Sequence, residues 1–144
     1  MVNYLTYFGS IEPFNQKNIM KYLSDYIEEA TTALLNQHGA FFAFDDKQFK
    51  EAQKEGVGYV SMGIGLICPR ANAKAFNKGY ADIVAAGIAQ DITENGLDNI
   101  IRRELANHEC YYTGDIQPAY DALSAYPDVT EAKVYKRYKA EVEL

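Results

Sequence analysis

Hydrophobic residues follow two different periods along this chain. Three long stretches carry apolar residues every three or four positions and predict amphipathic helices: residues 16–37, 70–94 and 97–109. Glycine or asparagine follows the first two stretches and should end those helices. Shorter helices are predicted at residues 47–54, behind an N-cap at Asp45-Asp46, and at residues 116–126.

Shorter apolar runs predict strands. Aromatic and β-branched residues are concentrated in three of them: residues 2–8, 40–44 and 59–68. The third run should form one central strand, in which Gly63 and Gly65 allow a bulge or the close approach of a helix. A small antiparallel or mixed sheet of about three strands packed against several helices is an α+β fold. We expect residues 1–144 to form a single domain, since this length is typical of one.

The final segment, residues 129–144, has two interpretations. Thr130 and Glu131 are typical of the start of a helix. The alternation of polar and apolar residues over residues 133–136 also fits an edge strand. The sequence leaves both open.

Negative charge is concentrated in one third of the chain. The net charge is −6, but residues 79–132 hold ten acidic residues against Arg102 and Arg103, a formal charge of −8. Such a segment repels nucleic acid and attracts basic surfaces. We therefore predict a partner with a basic surface, bound by carboxylates that cluster near predicted turns: Asp91, Glu94, Asp98, Asp121, Asp128 and Glu131. The alternative is that these residues are ordinary solvated positions on helices.

Several classes of protein are disfavoured by composition. The chain has no apolar run long enough to span a membrane and no secretory signal pattern at its N-terminus, so we expect a cytoplasmic protein that does not contact membranes. Cys68 and Cys110 are far apart and predict neither a disulfide nor a metal site, and no cofactor is predicted. The 12 tyrosines suggest contact surfaces, which favours a homo-oligomer as one interpretation.

The densest group of polar and aromatic residues lies where the third long helix ends. Glu104 and His108 are four positions apart and should be neighbours on the helix. They could transfer a proton, or bind a metal together with Glu109 or Asp115. We favour a structural corner, in which buried polar side chains satisfy backbone carbonyls and tyrosine hydroxyls, and we assign no catalytic residue. The residues of this corner are Glu104, Asn107, His108, Glu109, Tyr112, Thr113, Gly114 and Asp115.

Several short motifs resemble a group of small uncharacterised proteins carried by phages and mobile elements. The motifs are Phe41-Phe42-Ala43-Phe44 with Gln48-Phe49, Ser61-Met62-Gly63-Ile64-Gly65, Glu104-Leu105-Ala106-Asn107-His108-Glu109, Tyr112-Thr113-Gly114-Asp115 and Ala122-Leu123. The resemblance covers roughly residues 40–125. It implies a genomic setting, and it transfers no catalytic residues and no mechanism.

The resemblance and the charge together suggest an inhibitor of host defence. An acidic surface can occupy the basic nucleic-acid channel of a nuclease and displace a substrate that is held mainly through its phosphates. We therefore expect a phage-type protein that blocks a host defence nuclease, of the anti-CRISPR or anti-restriction kind, in the host cytoplasm. The alternatives are a small enzyme or nucleotide-signal sponge that uses Glu104 and His108, and a structural accessory protein of the phage particle.

Overall fold

The computed structural model describes residues 20–143, which contain seven α-helices and a three-stranded antiparallel sheet. The predicted α+β class is confirmed. The elements in chain order are α1 (Leu23–His38), β1 (Phe41–Phe42), α2 (Asp46–Ala52), β2 (Tyr59–Gly63), β3 (Leu66–Pro69), a 3-10 turn (Arg70–Asn72), α3 (Ala73–Asn95), α4 (Leu97–Asn107), α5 (Cys110–Thr113), α6 (Gln117–Ala122) and α7 (Glu131–Val142).

The described residues divide into two compact units. The sheet unit consists of residues 23–87, and the helical unit consists of residues 20–22 and 88–143. The expectation of one domain over residues 1–144 stays a prediction. The strand predicted at residues 2–8 lies outside the described residues.

The third predicted strand is a hairpin of two strands. The sheet order is β1-β3-β2, so β3 is central and pairs with both neighbours. The chain reverses through Gly63, Ile64 and Gly65, which all have positive φ, and the register shifts between Ser61 and Gly63. The predicted bulge is therefore confirmed, but the single strand over residues 59–68 was wrong. Because the residue at the tip of the hairpin is an apolar isoleucine, hydrophobic periodicity does not reveal the turn.

Helix α2 covers one face of the sheet. The rings of Phe41, Phe49 and Tyr59 meet there, with centroids 5.5 to 6.2 Å apart. The helix begins behind Asp45, whose carboxylate accepts a hydrogen bond from the backbone N–H of Gln48 at 2.7 Å. The predicted N-cap is confirmed, because this bond satisfies an N–H that has no partner within the helix.

The other face of the sheet carries the core of the sheet unit. Leu34 of α1, Cys68 of β3 and Phe76 of α3 are buried together with Ala40. Helix α1 begins at Leu23, because residues 20–22 are not helical, so the predicted start at residue 16 was too early for the part that is described. It ends at His38, one residue beyond the predicted end, where the predicted stop residue Gly39 adopts a φ of +70°.

Two glycines let α1 and α3 approach closely. A Cβ built on Gly79 would lie 2.7 Å from Leu34 Cδ1, and one built on Gly87 would lie 2.4 Å from Ile27 Cγ2. Both distances are shorter than a van der Waals contact, so any larger residue would have to displace a neighbour. Glycine at position 87 therefore allows the close packing of α3 against α1.

Helix α4 is the centre of the helical unit. It buries Ile100, Ile101 and Leu105 and packs against α5, α6 and α7. The start of α7 is capped by Thr130, whose side-chain oxygen accepts a hydrogen bond from the Lys133 N–H at 3.2 Å. Residues 131–142 are thus a helix, and the edge-strand interpretation of this segment was wrong.

We predict that Gly87→Ala destabilises the protein. An alanine at an ordinary helix position would raise the free energy of unfolding by up to about 1 kcal/mol relative to glycine. At position 87 the new methyl group meets Ile27, and a β-branched side chain in a helix has little rotamer freedom with which to move away. We therefore expect a loss of about 1–3 kcal/mol in urea denaturation.

Gly79→Ala is the matched control for that experiment. Its new methyl group would meet the end of the flexible Leu34 side chain, so the loss should be smaller. A gain in stability at position 87, or a larger loss at position 79, would contradict the proposed packing constraint.

Candidate functional site

A buried carboxylate, Asp91, joins separate segments of the helical unit. It lies in the last turns of α3 and has no solvent-exposed surface. The Arg103 guanidinium of α4 binds it with both terminal nitrogens, at 3.0 and 3.1 Å. The Tyr126 hydroxyl donates to it at 2.5 Å, and the Asn95 amide donates at 2.8 Å. Asp91 therefore accepts four hydrogen bonds, all from side chains of the helical unit.

Arg103 extends this network to the backbone and to a second carboxylate. Its Nε donates to Glu104 Oε2 at 2.7 Å, and its Nη1 also donates to the Lys21 carbonyl at 2.9 Å. The guanidinium lies 5.5 Å from the ring centroid of Tyr22, within the range of a cation–π contact. A buried arginine is tolerated when its donors are paired in this way.

The pKa values of the network reflect its hydrogen bonds. Burial alone would raise the pKa of Asp91, but hydrogen bonds from Arg103, Tyr126 and Asn95 outweigh it and hold that pKa below its usual value. In Tyr126, burial and the hydrogen bond to Asp91 raise the pKa of the phenol. Burial would lower the pKa of Arg103, but its bonds to Asp91 and Glu104 raise it overall. At neutral pH, Asp91 is thus ionised and Tyr126 is protonated.

The predicted contact between Glu104 and His108 is present. His108 Nε2 lies 3.5 Å from Glu104 Oε1, while the other oxygen of Glu104 binds Arg103. The side chain of Glu104 is 11% exposed and that of His108 is 33% exposed. The network of Asp91, Arg103 and Glu104 therefore reaches the surface at His108.

The rest of the predicted corner is more open than expected. Asn107 and Glu109 are exposed, so the burial predicted for this helix end was wrong there. Glu109 forms the turn between α4 and α5 with a φ of +56°. Tyr112 is 89% exposed, and Thr113, Gly114 and Asp115 are exposed as well. The structural role assigned to these residues stays a prediction.

A short connection, residues 114–116, links α5 to α6. Gly114 has a φ of +81°. The Asp115 N–H donates to Thr113 Oγ1 at 3.1 Å, and the Asp115 carboxylate accepts from the Gln117 N–H at 3.0 Å. Asp115 thus supports the first residue of α6, although Ile116 occupies the N-cap position.

The six predicted partner-binding carboxylates do not share one environment. Asp91 is buried, so its assignment to a binding surface is corrected: it pairs with Arg103 because it lies on the inner side of α3. Asp98 is exposed and binds Arg137 at 3.1 Å. The remaining members of the set are exposed: Glu94, Asp121, Asp128 and Glu131.

Arg103, Asn95 and Tyr126 are the residues that sequence reasoning missed. A signal for Asp91 was present, since it follows the buried Ile88 by three positions and so falls on the apolar side of the helix. The same spacing relates Arg103 to the buried Ile100. A charged residue on the apolar side of one helix requires a partner of opposite charge on another.

The described residues contain neither of two other kinds of feature. Within residues 20–143, no group of three or more His, Cys, Asp or Glu side chains is arranged to hold a metal ion. None of the helices in this range combines the length and apolar content that a membrane-spanning segment requires.

We predict that Asp91→Asn strongly destabilises the protein. The amide keeps the shape of the side chain but leaves the buried Arg103 without its bidentate counter-ion. Removing one partner of a buried pair costs about 3–5 kcal/mol, and urea denaturation at neutral pH measures this loss. Asp98→Asn is the control, because its ion pair is exposed and worth about 0–1 kcal/mol. Equal losses in the two variants would show that Asp91 does not organise this unit.

The stabilisation by Asp91 should depend on pH in one direction. Its pKa in the folded protein lies below its value of about 3.9 in an unfolded chain. Ionised Asp91 therefore contributes stability above about pH 4, and this contribution disappears as the pH falls through the folded pKa. The difference in unfolding free energy between wild type and Asp91→Asn should be constant near neutral pH and should shrink below about pH 4. A difference that grows on acidification would contradict the assignment.

Comparison with known proteins identifies the family of the chain but no activity. No curated protein and no solved structure matches the sequence. The sequence profile of a family of unknown function, DUF7659, matches residues 23–142. This range includes every element of both units from α1 to α7. The chain therefore belongs to the DUF7659 family.

Proposed function

We propose that this chain is a binding protein that inhibits a host defence nuclease, of the anti-CRISPR or anti-restriction kind, by covering its basic nucleic-acid surface. The observation that carries the proposal is an excess of exposed carboxylates in the helical unit that form no ion pair within residues 20–143. The sequence resemblance to phage and mobile-element proteins suggests defence as the setting. That the protein binds a partner, and that this partner is a defence nuclease, are both parts of the proposal.

Most of the basic residues in the helical unit are paired with carboxylates. Residues 88–143 contain six basic residues, and four of them are in ion pairs with carboxylates of the unit: Arg102, Arg103, Arg137 and Lys139. Within residues 88–143, all of which the structure describes, five exposed carboxylates have no ion pair: Glu109, Asp115, Asp121, Asp128 and Glu131. The charge left to attract a partner is therefore acidic.

Two of the uncompensated groups are held in place by hydrogen bonds. Gln117 connects Asp115 and Asp121, since its backbone N–H donates to the first and its side-chain amide donates to the second at 2.7 Å. Asp128 and Glu131 flank the Thr130 cap at the start of α7. Carboxylates positioned in this way could imitate the phosphates that a nuclease binds, and their field would accelerate association with a basic surface.

The contact between Glu104 and His108 favours a second candidate, a small enzyme or nucleotide-signal sponge. A partly exposed imidazole beside a carboxylate is an arrangement that general acid–base catalysis uses. Loss of His108 separates the two candidates. Under the inhibitor proposal, His108→Ala should retain nuclease inhibition, whereas catalysis by this pair would be lost in a variant of unchanged stability.

Inhibition should appear as displacement of nucleic acid. We expect the protein to release a fluorescently labelled DNA duplex from at least one member of a panel of purified restriction and CRISPR nucleases, measured by anisotropy. Direct binding of the protein to that nuclease, measured without DNA, should be weaker at about 200 mM salt than at about 50 mM salt, because salt screens the attraction between the carboxylates and the basic surface. If DNA stays bound to every nuclease at low salt, the proposal is wrong for the panel tested.

Neutralising the acidic groups should weaken that inhibition. The test variant carries Asp121→Asn, Asp128→Asn and Glu131→Gln together. These changes keep the side-chain shapes, and asparagine tolerates the left-handed backbone of Asp128, whose φ is +66°. We expect association with the nuclease to slow by roughly tenfold or more at low salt and to lose much of its salt dependence.

The matched control changes the net charge by the same amount in the other unit. It carries Glu28→Gln, Glu29→Gln and Glu55→Gln, all at exposed positions of the sheet unit. The control should bind nearly as fast as wild type. Equal slowing in both variants would mean that net charge alone matters, and it would remove the helical unit as the proposed binding surface.

A further inference from the structure

The tip of the β2–β3 hairpin carries an exposed isoleucine in an unfavourable conformation. Ile64 is 94% exposed and has a φ of +50°. A β-branched residue rarely adopts this region, because its branches clash with the backbone, whereas glycine or asparagine adopts it easily. Folding of the hairpin therefore gives no reason for an isoleucine at this position, and strain of this kind is often found at functional sites.

A pocket opens beside this tip. Its volume is about 330 Å³, and its apolar walls include Leu35, Met62, Leu66 and Phe76. Tyr80 also lines the pocket, and its ring is stacked on Phe76 at a centroid distance of 6.4 Å. The ten described residues that line the pocket include no charged side chain. An apolar group of modest size would fit it without the loss of an ion pair.

The pocket belongs to a continuous apolar surface of the sheet unit. Phe42 lines the pocket, is 53% exposed and stacks on Phe44, with centroids 6.1 Å apart. Phe44 is 71% exposed, and its ring lies so close to Gly65 that a Cβ there would be 2.3 Å from Phe44 Cε1. We call Phe42, Phe44, Ile64 and Tyr80 the hairpin patch.

We propose that two copies of this chain associate through the hairpin patch, with Ile64 of each copy seated in the pocket of the other. A two-fold interface brings the same surface of both copies together, so a projecting group and a pocket in one patch complement each other twice. Each copy carries a net charge of −6 and repels the other. An uncharged patch is the kind of surface at which such copies can meet.

The area of the patch agrees with a weak, reversible dimer. The exposed fractions of its four residues range from 42% to 94%. They correspond to roughly 500 Å² per copy if a large apolar side chain presents about 200 Å². Two copies would then bury about 1,000 Å², near the lower limit for a specific interface.

Sedimentation velocity of the full chain tests this proposal. We expect wild type to pass from monomer to dimer as its concentration rises from about 1 to 300 µM, the range of weak interfaces of this size. Ile64→Asn should weaken dimerisation at least tenfold without lowering the melting temperature of the dilute monomer, because asparagine relieves the unfavourable φ. Val57→Asn, at a 39% exposed apolar position that does not line the pocket, should dimerise like wild type. If the chain stays monomeric over this whole concentration range, the hairpin patch does not bind a second copy and the proposal is wrong. A dimer that Ile64→Asn does not weaken also overturns it.

A mixing experiment tests the seating of Ile64 in the pocket itself. Ile64→Lys damages the projecting group, and Tyr80→Glu damages the pocket, so each variant alone should be at least tenfold weaker as a dimer. A mixture of the two, one of them fluorescently labelled, should form a heterodimer more tightly than either variant forms a homodimer. That heterodimer contains one contact between a native Ile64 and a native Tyr80, and one Lys–Glu pair. If both variants keep the wild-type circular dichroism spectrum and the mixture does not associate, Ile64 is not seated in the partner's pocket.

Discussion

The ion pair between Asp91 and Arg103 holds the helical unit together. Asp91 comes from the end of α3, Arg103 from the middle of α4, and Tyr126 from the segment after α6, so one carboxylate connects three parts of the chain. Desolvation of two charges makes such a pair costly, and the complete set of hydrogen bonds compensates for it. The pair specifies the arrangement of these segments as well as stabilising it, because each donor has to reach the same two oxygen atoms.

The sheet unit is organised in a different way, by backbone conformation and apolar packing. Its core consists of Leu34, Cys68 and Phe76, without a buried ion pair among the described residues. Gly87 sets the distance between α1 and α3, and positive φ values at residues 63–65 allow the hairpin. Substitutions should therefore act through sterics in the sheet unit and through electrostatics in the network around Asp91.

Hydrophobic periodicity predicted the helices well and the tight turns less well. The ends of α1 and α3 follow from Gly39 and Gly96, since both glycines adopt the positive φ that ends a helix. The hairpin was missed because Ile64 places an apolar residue at a turn, which periodicity cannot distinguish from a strand. The candidate site was predicted in part: the contact between Glu104 and His108 follows from helical spacing, but Arg103 and Tyr126 are 12 and 35 positions from Asp91. Contacts over such distances depend on tertiary packing, and local sequence patterns do not reveal them.

Each unit contains one buried cysteine, whose reaction with an alkylating reagent would report when that unit opens. Cys68 lies in the core of the sheet unit and Cys110 lies in the helical unit, and both are free thiols with no exposed surface. Burial raises the pKa of both thiols, so the reactive thiolate is scarce and shielded in the closed state. Alkylation at either position must therefore wait for local or global unfolding. The two labelling rates, resolved by mass spectrometry of peptides, would show whether the sheet unit and the helical unit open together or separately.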